Sequence, residues 1–237
     1  MKILILIPIY KRTEVLRICL DNLSKFINTV SWEIQVVCLM SPEDSFLKEN
    51  QKSVKKHGFK AIYYKNLPLG EKMNAGIEYV MSHYEFDYLM NFGSDDLIHA
   101  DIEQLYEPYL NKRYKLFGIN GLYFYELSTG KTIFFHNYNY IGSIGAGRMI
   151  AYDLLKQFYD QQYPLYEPKL NSGLDTSSAM SLKRMSDVVD IVAEVGNHPY
   201  IVDIKTDTNI NLMMHIETRA TSITYIDNSF IHKYFKI

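Results

Sequence analysis

Ile3-Leu4-Ile5-Leu6-Ile7-Pro8 is an unbroken apolar run closed by a proline. A strand with one wet face alternates apolar and polar residues. A run with no polar face belongs to a strand covered on both sides, as in a parallel sheet flanked by helices. Downstream, Thr13-Glu14 opens a helical pattern with Val15, Cys19, Leu23 and Phe26 on one stripe and Thr13 as N-cap. A second buried strand follows at Glu33–Met40, then a loop, Ser41-Pro42-Glu43-Asp44-Ser45, and a helix to about His57. Lys60–Tyr64 reads as a third strand. A helix from Gly70 to about Tyr84 turns Met73, Ile77, Val80 and Met81 inward, and a fourth strand, Phe86–Phe92, ends in Gly93-Ser94-Asp95-Asp96. Such alternation requires right-handed crossovers and a mostly parallel sheet. Ligands of such sheets sit beyond the carboxyl ends of the strands. The loops starting at Pro8, Ser41 and Gly93 therefore converge on one crevice.

The second half is less regular. A helix is expected over Asp101–Tyr109. Strands near Leu116–Asn120, Tyr123–Glu126 and Thr132–Phe135 read as hairpins, and Gly142, Gly145 and Gly147 crowd one turn region. Helices are expected over Ala151–Phe158 and Asp175–Arg184 and a strand over Ile201–Ile204, while the tail from about Asn211 shows no clear pattern. With no repeat, low-complexity stretch or linker in view, residues 1–237 read as one α/β domain with a smaller C-terminal part.

Composition excludes several classes. The 237 residues carry 25 Lys+Arg against 27 Asp+Glu, a net charge of −2, too balanced for bulk electrostatic binding of nucleic acid. Two cysteines, Cys19 and Cys38, exclude a disulfide framework, suit a reducing compartment, and sit on apolar stripes as core residues. No apolar run approaches the ~20 residues that span a bilayer, and the N-terminus reads as a strand rather than a signal peptide. A cytoplasmic setting is expected, with a peripheral role at a membrane left open.

Two motifs carry chemistry. Asp95 and Asp96 place adjacent carboxylates at a strand end, where like charges crowd unless a cation or hydrogen-bond donors intervene. Mg²⁺ or Mn²⁺ takes such carboxylates together with substrate phosphates; a helix cap before Leu97-Ile98 is the plainer use. In Gly70-Glu71-Lys72-Met73-Asn74-Ala75-Gly76, a helix N-terminus with a nearby cation and amide suits a diphosphate or ribose. An ordinary capped amphipathic helix would look the same. Gly76 inside that helix costs up to ~1 kcal/mol relative to Ala, which close packing on a strand or ligand would explain.

Ile7-Pro8-Ile9-Tyr10-Lys11-Arg12 before a helix, the Gly70…Asn74-Ala75-Gly76 helix, and Gly93-Ser94-Asp95-Asp96, in that order, resemble family 2 glycosyltransferases of the GT-A fold. The resemblance covers about the first 100 residues, the nucleotide-sugar half; residues 101–237 would form the acceptor-side half. It implies a nucleotide-sugar donor, usually a UDP-sugar, a divalent metal (Mn²⁺ or Mg²⁺), and inverting transfer of a hexosyl group to a glycan or other hydroxyl acceptor. By position, Pro8, Ile9, Tyr10 and Arg12 would line the nucleotide pocket. Asp44 would meet the base, although Ser41-Pro42-Glu43-Asp44-Ser45 stands where the family has Asp-Asp-x-Ser. Lys72 and Asn74 replace an Arg-Asn pair near ribose and diphosphate, a point charge for a fork. Asp96 would ligate metal, and Asp95 would contact ribose or metal.

On the acceptor side the resemblance implies a base at Asp175 in Asn171-Ser172-Gly173-Leu174-Asp175-Thr176, with Leu174 where the family often has Glu. The plainer use of Asp175, set behind the base, is to complement a helix N-terminus. Gly145-Ala146-Gly147-Arg148-Met149 resembles the segment before the acceptor site, with Gly147 and Arg148 as acceptor residues; a structural glycine turn fits as well. His215, ahead of His198, would be a third metal ligand, against the commoner use of a lone histidine as a solvated or core residue. Two rivals remain: a sugar-phosphate nucleotidyltransferase, disfavoured because the first loop lacks glycine, and a non-catalytic nucleotide- or sugar-binding module of the same fold. A Rossmann dehydrogenase is disfavoured because no G-x-G-x-x-G follows the first strand.

Overall fold

A computed structural model of the chain describes residues 1–136, 142–184, 188–207, 209, 212–219 and 222–237. The expected α/β architecture is present. Strands β1 (Lys2–Pro8), β2 (Glu33–Met40), β3 (Lys60–Tyr63) and β4 (Tyr88–Asn91) alternate with helices α1 (Thr13–Ile27), α2 (Leu47–Lys56) and α3 (Leu69–His83). The four strands lie parallel in the order β3-β2-β1-β4.

The first apolar run explains itself in the packing. Ile3, Ile5 and Ile7 face a cluster built with Val15, Leu16, Cys19, Leu20, Leu23 and Phe26 of α1. Leu4 and Leu6 face the opposite cluster, with Met73, Ile77 and Val80 of α3. Strand alternation thus feeds two apolar layers at once. Gly76 has a packing reason: a Cβ there would fall 2.7 Å from a Leu39 methyl and 3.0 Å from a Leu6 methyl, so the missing side chain lets α3 lie close on β1 and β2. Thr13 is not the cap of α1. Arg12 holds that position in a left-handed conformation, and the Thr13 hydroxyl is buried with no partner among the described residues.

The chain then departs from the hairpin expectation. After β4 it leaves the first sheet, turns through Gly93–Asp95 and enters β5 (Asp96–Ile98), which is a strand and not the start of a helix. β5 belongs to a second sheet of order β12-β8-β7-β11-β5, formed with β7 (Leu122–Glu126), β8 (Thr132–Phe135), β11 (Ile201–Lys205) and β12 (Ile223–Ile226). β7 and β8 do form a hairpin. β6 (Leu116–Ile119) does not join it. β6 sits in the first sheet between β10 (Ile191–Ala193) and the antiparallel β9 (Met149–Ala151), completing the order β10-β6-β9-β4-β1-β2-β3. The switch occurs at Gly121, where a Cβ would lie 2.6 Å from the Phe134 ring and 2.7 Å from Val195. Only glycine lets the chain cross so tightly between sheets.

Helices α4 (Ile102–Asn111), α5 (Tyr152–Asp160) and α6 (Leu174–Lys183) fall where helical patterns were read, within one or two residues. In the tail, Asn211 lies outside the described residues, and α7 (Met213–Arg219) precedes β12. Among the described residues no helix is long and apolar enough to cross a membrane.

Candidate functional site

The turn Gly93–Asp96 is where one sheet hands the chain to the other, so its carboxylates stand at the junction of both. Gly93 N–H donates to Asp96 Oδ2 at 2.6 Å. A Cβ on Gly93 would meet Asp95 Oδ1 at 2.7 Å and Asp96 Oδ2 at 2.9 Å, so both carboxyls fold back into the space a side chain here would take. Antiparallel pairing of β5 with β11 sets Asp203 directly opposite Asp96. Asp95, Asp96 and Asp203 each offer an oxygen within 4.8 Å of the others.

Each acid has a different partner. Asp95 Oδ2 accepts from Arg12 Nη1 at 2.6 Å and from Asn209 Nδ2 at 2.7 Å. Asp203 Oδ2 accepts from the buried Lys205 Nζ at 2.7 Å, and Lys205 also lies over the Phe124 ring. Asp203 Oδ1 is buried with no partner among the described residues. Burial, reinforced by the Asp203 and Asp95 charges, pushes Asp96 well above the ordinary carboxylate range. Burial raises Asp203 as well, with Lys205 opposing. An all-oxygen set with one orphaned oxygen and mutually repelling charges fits a hard divalent cation such as Mg²⁺ or Mn²⁺.

The acids open on a cleft of about 210 Å³ whose walls include Pro8, Met73, Phe92, Gly145, Tyr166 and Asp175. Asp175 stands in the first turn of α6. The residue is exposed at the cleft rim, yet its carboxyl is packed against Gly145, where a Cβ would lie 1.8 Å from Oδ1. That enclosure raises its pKa, opposed by the charges of Arg148 and Lys205. No donor among the described residues hydrogen-bonds its side chain. A larger concavity of about 540 Å³ lies between α3 and α5. It includes none of these acids, nor does a hollow of about 620 Å³ beside β3 and α3, so chemistry rather than volume picks out the cleft.

The remaining expected residues are distributed unevenly. Ile9 and Asp44 are buried near the strand ends, and Tyr10 is half-buried beside the Lys11 ammonium, 5.2 Å from its ring centre. Lys11 and Arg12 both have positive φ, 58° and 52°. Asp44 holds the first of them, accepting the Lys11 N–H at 2.7 Å and Asn50 Nδ2 at 3.1 Å on one oxygen and the Phe46 N–H on the other. Its carboxylate is thus a brace between the first two loops.

Lys72 is fully buried and spends its ammonium on Ile9 O (2.9 Å), Ser41 Oγ (2.8 Å) and Asn66 Oδ1 (3.2 Å). Three donors meet three protein oxygens, leaving none for a diphosphate. Burial lowers its pKa to about 8. Asn74 bonds both ways to the backbone of Tyr166 (2.7 and 3.0 Å). The N-terminus of α3 is filled from within: Leu69, Gly70 and Glu71 N–H donate to Asn171 Oδ1, Leu170 O and Pro168 O. A Cβ at Gly70 would lie 2.1 Å from Glu167 O. The expected anion site at this helix end is therefore occupied by residues 167–171.

On the acceptor side, Gly145 and Ala146 reach the cleft wall, while Gly147 and Arg148 turn away from it. Arg148 is completely buried, donating from Nε to Ser143 Oγ (3.0 Å), from Nη1 to Ser178 Oγ (3.0 Å) and from Nη2 to Ser143 O. Gly147, at φ +74°, packs on Ile201 and accepts the Tyr106 hydroxyl. His215 is exposed on α7 and belongs to neither of the two groups of potential metal ligands among the described residues. Asp203, Lys205 and Asn209 escaped the sequence reading. The available signal was Asp203 and Lys205 two apart in the apolar strand Ile201-Val202-Asp203-Ile204-Lys205, where buried charges demand partners.

A mixed α/β fold with a largely parallel sheet and flanking helices matches the GT-A fold of glycosyltransferases. No family model matches the sequence and no curated protein matches it. Solved structures do match. The crystal structure of S. aureus TarS 1–349 is similar at a TM-score of 0.60 and 16% identity, covering 86% of this chain and 60% of that one. Its complex with UDP-GlcNAc is similar at 0.61 and 12%, covering 88% and 60%. The mannosyltransferase PcManGT from Pyrobaculum calidifontis, in complex with GDP-Man and Mn²⁺, is similar at 0.56 and 10%, covering 86% and 56%. The chain thus spans about 60% of the length of these neighbours, and at such identities the likeness is one of fold.

Proposed function

We propose that the protein is a metal-dependent, inverting glycosyltransferase related to family 2, moving a hexosyl group from a UDP-sugar to a hydroxyl of a glycan or similar acceptor. We propose also that its 237 residues act as one unit. The observation that carries the reading is one cleft shared by the Asp95, Asp96 and Asp203 carboxylates and by the Asp175 carboxyl. Neighbours of this fold hold UDP-GlcNAc or GDP-Man with Mn²⁺, which supports a nucleotide-sugar in that cleft.

Asp96, Asp203 and Asp95 would hold the divalent cation, which when bound supplies positive charge to the diphosphate leaving group. Arg12 holds Asp95 by a direct ion pair, so loop one and the metal site are aligned together. Lys72 acts at one remove: it ties the loops after β1, β2 and β3 into one wall for the nucleotide, beside Pro8, Ile9 and Tyr10. Asp175 takes the proton of the acceptor hydroxyl as that oxygen attacks the anomeric carbon. Its raised pKa makes it the stronger base, and it works ionised, so activity falls as pH drops through that raised pKa.

The test is UDP release from a panel of UDP-sugars with Mn²⁺. Turnover in the native chain, lost in Asp96→Ala and lost in Asp175→Asn while Asp175→Asn still binds UDP, is the expected pattern. UDP binding with no turnover across acceptors would leave a binding module instead.

A further inference from the structure

At the opposite end of the same strand pair lies a cluster of different chemistry. β5 and β11 run antiparallel, with Asp96 opposite Asp203 at one end and Ile98 opposite Ile201 at the other. His99 follows β5 and donates its N–H to Tyr200 O at 2.9 Å. Asp101 immediately precedes α4, and His198 lies in the turn that leads into β11. Three donor atoms from these residues face one another. His99 Nδ1 is 3.3 Å from Asp101 Oδ2, His198 Nε2 is 3.2 Å from the same oxygen, and the two ring nitrogens are 3.4 Å apart.

These distances form a nearly equilateral triangle. In a tetrahedral site with bonds of 2.0–2.1 Å, the separation between ligand atoms is about 3.3 Å. The tautomer in which His99 Nδ1 accepts the Asp101 N–H (3.3 Å) carries its lone pair on that nitrogen, the form a metal requires. In that state only the proton of His198 Nε2 is available to separate the three electron-rich atoms, whereas one divalent cation satisfies all three.

The rings are also held in place. Tyr234 meets His99 and His198 edge-on at 5.6 and 4.9 Å, Phe235 meets His99 at 5.9 Å, and Tyr200 lies 4.3 Å from His198. Such packing keeps the imidazoles aimed before any ligand arrives. The three side chains remain partly exposed, which leaves a path for entry and a fourth position for solvent.

From this geometry we infer that His99, Asp101 and His198 form a transition-metal site for Zn²⁺, separate from the acidic cleft. Two imidazoles and one carboxylate suit zinc far better than magnesium or manganese, whereas the all-carboxylate cluster is an oxygen set that also suits the harder ions. The two sites are linked by three residues of β5, about 10 Å of strand. Zinc would tie the end of β5 and the start of α4 to the turn before β11, and so stiffen the strand pair that presents Asp96 and Asp203.

Zinc alone is the probe, titrated calorimetrically into the full chain carrying Asp96→Ala so that the cleft cannot compete. One equivalent should bind at low micromolar concentration or tighter. His99→Gln/His198→Gln added to that background should weaken zinc binding at least 30-fold. In an otherwise native chain the same pair of changes should leave Mn²⁺ binding within about threefold. Co²⁺ in the Asp96→Ala chain should give the intense visible bands of a tetrahedral site, and X-ray absorption of its zinc form should show two imidazoles. Either of two results overturns the proposal: no stoichiometric zinc binding below about 100 μM, or zinc bound in the Asp96→Ala chain through oxygen ligands alone. Because neither measurement uses turnover, the outcome is independent of the proposed transferase activity.

Discussion

Gly145 lacks a side chain where Asp175 stands. A methyl group on it would sit 1.8 Å from Oδ1, 2.3 Å from Cγ and 2.7 Å from Oδ2 of that residue. Non-bonded heavy atoms settle at about 3.5–4.0 Å, so Gly145→Ala forces the carboxyl to retreat by more than ~1 Å. Asp175 is exposed in the first turn of α6, and the other atoms of the crowded contact all belong to its own side chain. Rotation relieves the clash at little cost to folding, and what is lost is position. A displacement of ~1 Å in a reacting group costs on the order of 10²-fold in rate, equivalent to about 2.7 kcal/mol of barrier. With donor and Mn²⁺ saturating, UDP release should show kcat reduced by that order, with donor affinity unchanged and the melting temperature within a few degrees of native. Asp175→Asn should cost about 10²–10⁴-fold. The double variant should be no slower than Asp175→Asn alone, since both changes remove the same group's contribution. Gly145→Ala within about threefold of native, or a double variant whose losses multiply, would refute the assignment of the base.

Other consequences follow from the same geometry. Burial raises Asp96 and Asp203, so Mn²⁺ binding at the proposed site would displace protons. Affinity should weaken as pH falls through the raised range, and calorimetric heats should vary with the buffer's ionisation enthalpy; identical heats in all buffers would contradict this. Asp203→Asn should weaken Mn²⁺ binding by tenfold or more while leaving UDP binding without metal unchanged, as read by titration. For Lys72 the folded pKa is about 8 against 10.5 unfolded. Between those values the unfolded chain holds more protons, so this residue's contribution to stability increases as pH climbs from about 8 to 10.5. Denaturant titrations should show that increase in the native chain and not in Lys72→Met. Arg148→Ala should lower stability by about 2 kcal/mol or more, because it strips charged donors from buried Ser143 and Ser178. A change confined to acceptor KM would show instead that Arg148 reaches the cleft.

The alternating half was legible because its signals are local. An unbroken apolar strand such as Ile3–Ile7 admits few environments, and the α1 and α3 stripes give their inward faces directly. Gly93-Ser94-Asp95-Asp96 marked the acidic end of β4, and Asn171–Thr176 marked the start of α6. Asp203 was not legible, because it joins Asp96 through strand pairing across more than a hundred residues, and register leaves no local trace. The same holds for β6, whose sequence looks like one arm of a hairpin and whose partners are β9 and β10.

The linear order of residues determined the layer architecture, the crevice at the strand ends, and the carboxylates at Asp95, Asp96 and Asp175. Those follow from periodicity, turn chemistry and the cost of crowding like charges. Only the tertiary structure decided what each polar side chain would be used for. Lys72, Asn74, Asp44 and Arg148 have the chemistry of ligand contacts, yet all four bond to protein atoms contributed by other segments. A side chain's type limits what it can bind, but its occupant is set by whichever partner the fold brings within about 3 Å. That proximity is a property of the packed chain as a whole.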